Sequence, residues 1–297
     1  LTAAPDFPQE MHTALIAASA DGTLGWYVGV LAWLAVFALI GFLVARGVLR
    51  WGRSHFVFLF NPEPADRAEK LGYLLVRCTL MLVGVLIFYV VSSILWFAFG
   101  DGHPSAQATH ASAYGAIAAI WALRIVFLNI LVPDAPSHRV LDISDEHAEG
   151  LFRALTAQVA ITGLIAGVCM WMGALGLSPY AHALLLIGGA AVGAVLLSAV
   201  AIAYREPIAR MAFGPPQTRT FPPIVILSRT WHVWFVLYFW IAWAASTVRL
   251  LLGVPAAVGL IVGPIAVLFV GLAVYGVALF IIDKLAERAA RNRSVRD

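Results

Sequence analysis

The chain has 297 residues, 62% hydrophobic and 12% charged, with a formal net charge of +3. Soluble domains carry about twice that share of charge, so a water-soluble enzyme and a nucleic-acid-binding surface are both excluded. The two cysteines, Cys78 and Cys169, lie in apolar runs and exclude a disulfide framework.

Several apolar runs exceed the roughly 20 residues that a helix needs to cross a bilayer. The expected fold class is therefore all-α, a polytopic integral membrane bundle of about seven transmembrane helices. Residues 1–23 form an extracytoplasmic segment with three acids and no Lys or Arg. The chain opens on Leu1 rather than methionine, as expected of a removed signal peptide or of a fragment.

Spans are read at 24–46, 72–99, 111–133, 151–176, 181–203, 231–252 and 256–282. The first three make a membrane unit over 24–133. A polar cytoplasmic linker covers 134–150, and a second unit of four spans covers 151–282. Pro133 and Pro136 stop the helix before the linker. Ser144, followed by Asp145 and Glu146, starts the helix after it, as a capping hydroxyl ahead of two carboxylates at the positive helix end.

Basic residues sort to one side. Arg46, Arg50, Arg53, Arg67 and Lys70 follow the first span, and Arg139 and Arg153 follow the third. Arg205, Arg210, Arg219 and Arg229 follow the fifth, and Lys284, Arg288, Arg291, Arg293 and Arg296 follow the seventh. The loops 100–110, 177–180 and 253–255 have none. The positive-inside rule then places the N-terminus outside and the C-terminus in the cytoplasm. The tail 283–297 reads either as a surface helix with Leu285 towards lipid or as a flank that only sets orientation.

Three arginines fall inside spans. Arg77 and Arg249 are near span ends and can snorkel to headgroups. Arg124 lies deeper, with no acid at its depth, which leaves carbonyls, hydroxyls or lipid phosphate as partners. The loop 204–230 holds two Pro-Pro pairs, and its apolar end, 221–227, is read as interfacial. The sixth span is the most aromatic. Trp231 and Trp234 suit headgroup anchoring, and Trp240 and Trp243 suit packing against a neighbour. Gly25 and Gly29, Gly163 and Gly167, Gly189 and Gly193, and Gly259 and Gly263 are spaced for close helix approach, within one subunit or between subunits.

No carboxylate lies near mid-membrane to couple a proton or sodium ion; Asp283 is the nearest. Lys70 and Lys284 sit at span ends, so no retinal Schiff base is expected. The histidines divide between the two faces, His55, His138, His147 and His232 on one and His12, His103, His110 and His182 on the other. No metal or haem spacing results, and no cofactor or catalytic residue is expected.

Several stretches resemble the membrane part of large members of the small-conductance mechanosensitive channel (MscS) family. Val132-Pro-Asp-Ala-Pro136, then Arg139-Val-Leu-Asp-Ile-Ser-Asp145 and Leu151-Phe-Arg153, resemble the linker before a span pair. Leu175-Gly-Leu-Ser-Pro179 resembles the outer turn of that pair. Arg205-Glu-Pro-Ile-Ala-Arg210 with Gly214 resembles its exit, and Arg229-Thr-Trp-His-Val-Trp234 through Trp243 the aromatic span that follows. The resemblance covers roughly residues 60–252.

It implies a homo-oligomeric, usually heptameric, channel of a bacterial inner membrane that answers osmotic stress. Its outer spans form a lipid-contacting paddle, and a separate Gly/Ala-rich helix lines the pore ahead of a β-rich vestibule. Here the last span carries bulky Phe269, Tyr275 and Phe280, and no strand-rich stretch follows it. The expected role is thus a tension-sensing transmembrane region whose pore lies elsewhere, with membrane lipids and copies of itself as partners. A transporter or permease domain, and a scaffold subunit of a membrane complex, are the alternatives.

Overall fold

The computed structural model describes residues 7–55, 67–141, 143–218 and 221–254. The expected seventh span, the basic tail, Gly259 and Gly263 lie outside the described residues. A short helix α1 (Phe7–Ala18) precedes the long α2 (Gly25–His55), α3 (Arg67–Phe99) and α4 (Pro104–Leu131). A 3-10 turn at Pro136–His138 leads to α5 (Asp145–Ala174) and α6 (Pro179–Ala203). The short α7 (Arg205–Phe213), a 3-10 turn at Pro216–Thr218 and α8 (Pro222–Leu251) complete the order. No strand occurs among the described residues. The helices α2, α3, α4, α5, α6 and α8 are long and apolar enough to cross a membrane.

The helix starts follow local chemistry. His103, Ser144 and Ser178 are N-caps, accepting from the amides of Ser105, His147 and Ala181 at 3.4, 3.5 and 3.3 Å. Pro104 and Pro179 follow two of these caps, in the first turn, where the missing N–H has no partner to lose. The same rule explains α8. The sequence suggests that Pro222 and Pro223 break the chain before the sixth span. Instead they open it, so 221–227 forms the first turns of one continuous helix.

Consecutive spans run antiparallel. Between α2 and α3, Ser92 donates to the Phe37 carbonyl at 3.2 Å, and Leu49 lies against Gly84 nearer the other end. Between α3 and α4, His110 meets Ser93 at 3.2 Å, while Met81 accepts from Asn129 at 3.8 Å. Gly167 faces Ala116 and Gly163 faces Ile120 between α4 and α5. Cys169 reaches the Leu185 carbonyl of α6, and Gly150 faces Tyr204. Trp243 of α8 donates to the Ile187 carbonyl of α6 at 3.1 Å. The main packing is therefore α2 on α3, α3 on α4, α4 on α5, α5 on α6 and α6 on α8, with α2 also touching α4. The packing of α4 on α5 runs across the 134–150 linker.

Among the described residues the result is an open array rather than a closed bundle. The share of each span's apolar window that is buried falls from 28% in α2 and α3 to 11% in α6 and α8. Large side chains such as Val28, Phe97, Met170 and Trp234 stay exposed on its faces. The core sits at the α2–α3–α4 end of the array, around Val30, Leu34, Phe37, Trp96, Ala106 and Tyr114.

Helix α1 was not legible in the sequence. Its Phe7, Met11, Ala14 and Leu15 pack on Met172, Leu177 and Ala181, at the α5–α6 turn. Glu10 accepts from the Ser178 hydroxyl at 2.8 Å, and Tyr27 donates to the Leu15 carbonyl at 3.2 Å.

Candidate functional site

Antiparallel alternation brings Arg46, Arg50, Arg77, Arg139, Arg153, Arg205, Arg210 and Arg229 to one end of the array. At that end α4 stops at Val132, whose φ of 41° is left-handed, so its amide closes on the Leu128 carbonyl at 3.0 Å. Asp134 follows directly and ion-pairs with Arg77 of α3. The sequence reading has Arg77 snorkel to a headgroup. An acid just past the end of the antiparallel neighbour stands at the same level and takes it instead. Tyr73 and His138 lie ring against ring nearby, with centroids 4.6 Å apart.

Arg139 clasps the α4–α5 connection. Its guanidinium donates to the carbonyls of Leu131, Val132 and Ile143 at 2.9, 3.3 and 2.7 Å, and to Asp145 Oδ1 at 2.9 Å. Its side chain is only 5% exposed, although Asp145 is 73% exposed. These carbonyls include two at the end of α4 that have no partner inside the helix. The sequence showed Arg139 as one more flanking cation; nothing in its spacing revealed a clasp.

Arg124 is exposed on the side of α4, and its guanidinium carbon stands 5.5 Å from the centre of the Phe152 ring of α5. A cation over a ring face gains from the ring quadrupole, the more so away from water. Carbonyls, hydroxyls and phosphate were the expected partners, and an aromatic face is what α5 provides. Trp231 is half-buried and donates to the Arg205 carbonyl at 3.0 Å, tying α8 to the start of α7. Trp234 is 61% exposed, on the outer face of α8. Arg249 is exposed near the opposite end of α8.

The glycine spacings resolve by what each position faces. A Cβ at Gly163 would stand 2.5 Å from Ile120, and one at Gly167 2.9 Å from Ala116, both on α4. A Cβ at Gly189 would stand 2.6 Å from Ile165, and one at Gly193 3.2 Å from Thr162, both on α5. Gly29 meets nothing within 4 Å. The tightest approach, Gly41 of α2 against Ser92 and the Phe88 carbonyl of α3, has no glycine partner at i+4.

At the other end a buried polar set joins four helices. His110 stacks on Trp96 with an interplanar angle of 4° and meets Ser93. Tyr114 donates to the Leu34 carbonyl at 2.8 Å, and Trp171 donates to Thr109 at 2.8 Å. Tyr114→Phe removes one such bond without changing shape. The expected cost is about 0.6 kcal/mol, the usual size for side-chain bonds between membrane helices. Reversible unfolding in mixed micelles measures it, and a loss above about 2 kcal/mol would contradict this value.

Two clefts open at the arginine-rich end. One, of about 400 Å³, lies between α7 and the first turns of α8; the other, about 350 Å³, is lined by Phe42, Arg46, Leu49, Arg50 and Trp121. No cluster of three His, Cys, Asp or Glu side chains suited to a metal ion occurs among the described residues. Both cysteines are free thiols.

The helices define a multi-pass α-helical membrane protein with one strongly basic end. No protein-family model matches the chain, and no curated protein or solved structure matches it.

Proposed function

We propose that these helices are the tension-sensing transmembrane region of a mechanosensitive channel of the MscS family, in a bacterial inner membrane, with the pore helix outside the described spans. The observation that carries this reading is the open array. Each described span leans on its chain neighbours, and burial thins towards α8, so among the described residues both broad faces are left for lipid. Membrane tension favours whichever state occupies more area in the plane. An array held mainly by contacts between chain neighbours changes tilt by sliding at each seam, and tension then shifts populations as a ligand with differential affinity would. A closed bundle resists the same change because every helix is gripped from several sides. Copies of the chain around a common pore would set such paddles at the rim, facing lipid.

The test is graded suction on liposome patches. Residues 1–297 alone are expected to pass no tension-gated current, whereas the channel polypeptide that carries them opens with tension. Current from 1–297 at the conductance of the larger protein would place the pore within these spans. Silence from a well-folded larger protein would favour the transporter or scaffold readings.

The basic end is assigned to the cytoplasm by the positive-inside rule. In a chain with Cys78 and Cys169 replaced by alanine, an impermeant thiol reagent is expected to label Gly102→Cys from outside and Gln217→Cys only after the membrane is opened. Labelling of both from one side would overturn the alternation.

A further inference from the structure

We infer that the cleft between α7 and α8 is a binding site for a phosphate ester, presented by the headgroup of an anionic phospholipid. Three guanidiniums surround it, Arg205 and Arg210 from α7 and Arg229 from α8, against the single carboxylate of Glu206. Ser228 and His232, one turn apart on α8, complete its polar lining. Among the described residues no ion pair engages the three arginines. Elsewhere at this end Arg77, Arg139 and Arg153 each have a carboxylate. Arg46 and Arg50 at the second cleft are likewise in no ion pair among the described residues, so the α7–α8 cleft is set apart by gathering three such arginines rather than two.

A second observation points to a ligand. His232 Nδ1 is buried and has no hydrogen-bond partner. Buried polar atoms are almost always satisfied, and an orphan asks for an explanation. Nδ1 has almost no accessible surface, so an oxygen of a bound anion supplies one only once the ring turns towards the cleft, with the imidazole then donating. The Ser228 hydroxyl now donates to the Val225 carbonyl at 2.9 Å and can rotate towards an anion. Arginine forks match the tetrahedral oxygens of phosphate in pairs, which makes this ester group the best fit to the lining.

The surroundings select the lipid as its source. Phe221, Ile224, Ile226 and Leu227 stand exposed on the same first turns of α8 that supply Ser228 and Arg229. A phosphate held in the cleft leaves its acyl chains beside an apolar helix face. A free phosphate ester would leave that face unused. About 400 Å³ holds a phosphate and a glycerol but not the chains. The inference does not rest on the tension reading, because its test measures binding and not gating.

The experiment is native mass spectrometry of the full chain titrated with phosphatidylglycerol, phosphatidylcholine and, separately, glycerol 3-phosphate. Wild type is expected to hold phosphatidylglycerol at least about tenfold more tightly than phosphatidylcholine, the scale of one charge-assisted bond. Arg210→Gln with Arg229→Gln is expected to erase that preference, while Arg46→Gln with Arg50→Gln at the other basic cleft leaves it intact. His232→Leu removes the orphan nitrogen without touching the net arginine charge, and is expected to weaken phosphatidylglycerol while the fold stays intact. Displacement of the lipid by micromolar glycerol 3-phosphate would keep the phosphate site but overturn the lipid as its source. Equal affinity for the two lipids would overturn the anionic lipid as the ligand, and an unchanged preference in the folded Arg210→Gln, Arg229→Gln protein would overturn the site.

Discussion

Gly41→Leu is expected to lower the stability of the protein by about 3 kcal/mol, the upper range for forcing bulk into a packed contact, while Gly29→Leu on the same helix costs almost nothing. At Gly41 even a single carbon would collide with the Ser92 hydroxyl and stand 3.0 Å from the Phe88 carbonyl. That carbonyl belongs to the α3 backbone, so it cannot rotate away as a side-chain tip would. The hydroxyl is also the donor to the Phe37 carbonyl, so the same push breaks a buried hydrogen bond. Gly29 is exposed, a Cβ there would meet nothing within 4 Å, and its leucine faces lipid. Thermal unfolding in detergent, followed by size exclusion, separates the two. Equal melting temperatures for the pair would show that the α2–α3 seam is not where the structure places it.

Arg139→Met carries the second large effect. The substitution keeps much of the apolar stem and removes the fork. It leaves the Leu131, Val132 and Ile143 carbonyls without the donor that the guanidinium supplied. Hydrogen bonds from a charged donor contribute about 1.5–3 kcal/mol each, and shared ones do not add, so the expected loss is about 3 kcal/mol. Asp145→Asn removes the solvent-exposed partner only, and costs under about 1 kcal/mol as exposed pairs do. The comparison is diagnostic. Were the ion pair the source of stability, both variants would lose the same amount; if the carbonyl clasp is, Arg139→Met falls much further. Limited proteolysis between 133 and 144 reports the same difference as faster cutting in Arg139→Met alone.

These effects mark how far composition reaches. Hydrophobic runs located six spans, because bilayer thickness sets the apolar length of a helix, but missed the end of α2 and the start of α8 by nine residues each, where the helix runs on past the apolar stretch. Ser144 announced the start of α5 and Pro133 the end of α4, since caps and breakers act on their own neighbours in the chain. What depth and polarity do not encode is which helix stands beside which. Asp134 lies 57 residues from Arg77, and Leu34 lies 80 from Tyr114. Pairs of that kind exist only once the seams are formed. Gly41 was not legible for a related reason: its partners are a serine and a carbonyl, whereas the small-residue spacing pairs one glycine with a second. Helix α1 leaves little trace because at 12 residues it is too short to read as a span, and its partner surface lies at the α5–α6 turn, far along the chain. The arginines of the α7–α8 cleft read as orientation markers, which accounts for their side but not for their convergence.

The antiparallel, neighbour-on-neighbour order also dictates an order of assembly. Each new span finds the surface it needs on one already inserted, so α3 can settle on α2, α4 on both, and α5 and α6 in turn. Contacts between chain neighbours close small loops, and folding through them is fast because little chain entropy is lost at each step. Nothing has to wait for the last helix to arrive. The corollary falls on α8, which among the described helices rests mainly on α6 and the short α7. Among the described spans it is the one whose departure disturbs the fewest others, so partial unfolding of these spans is expected to start there and travel back along the array towards α2.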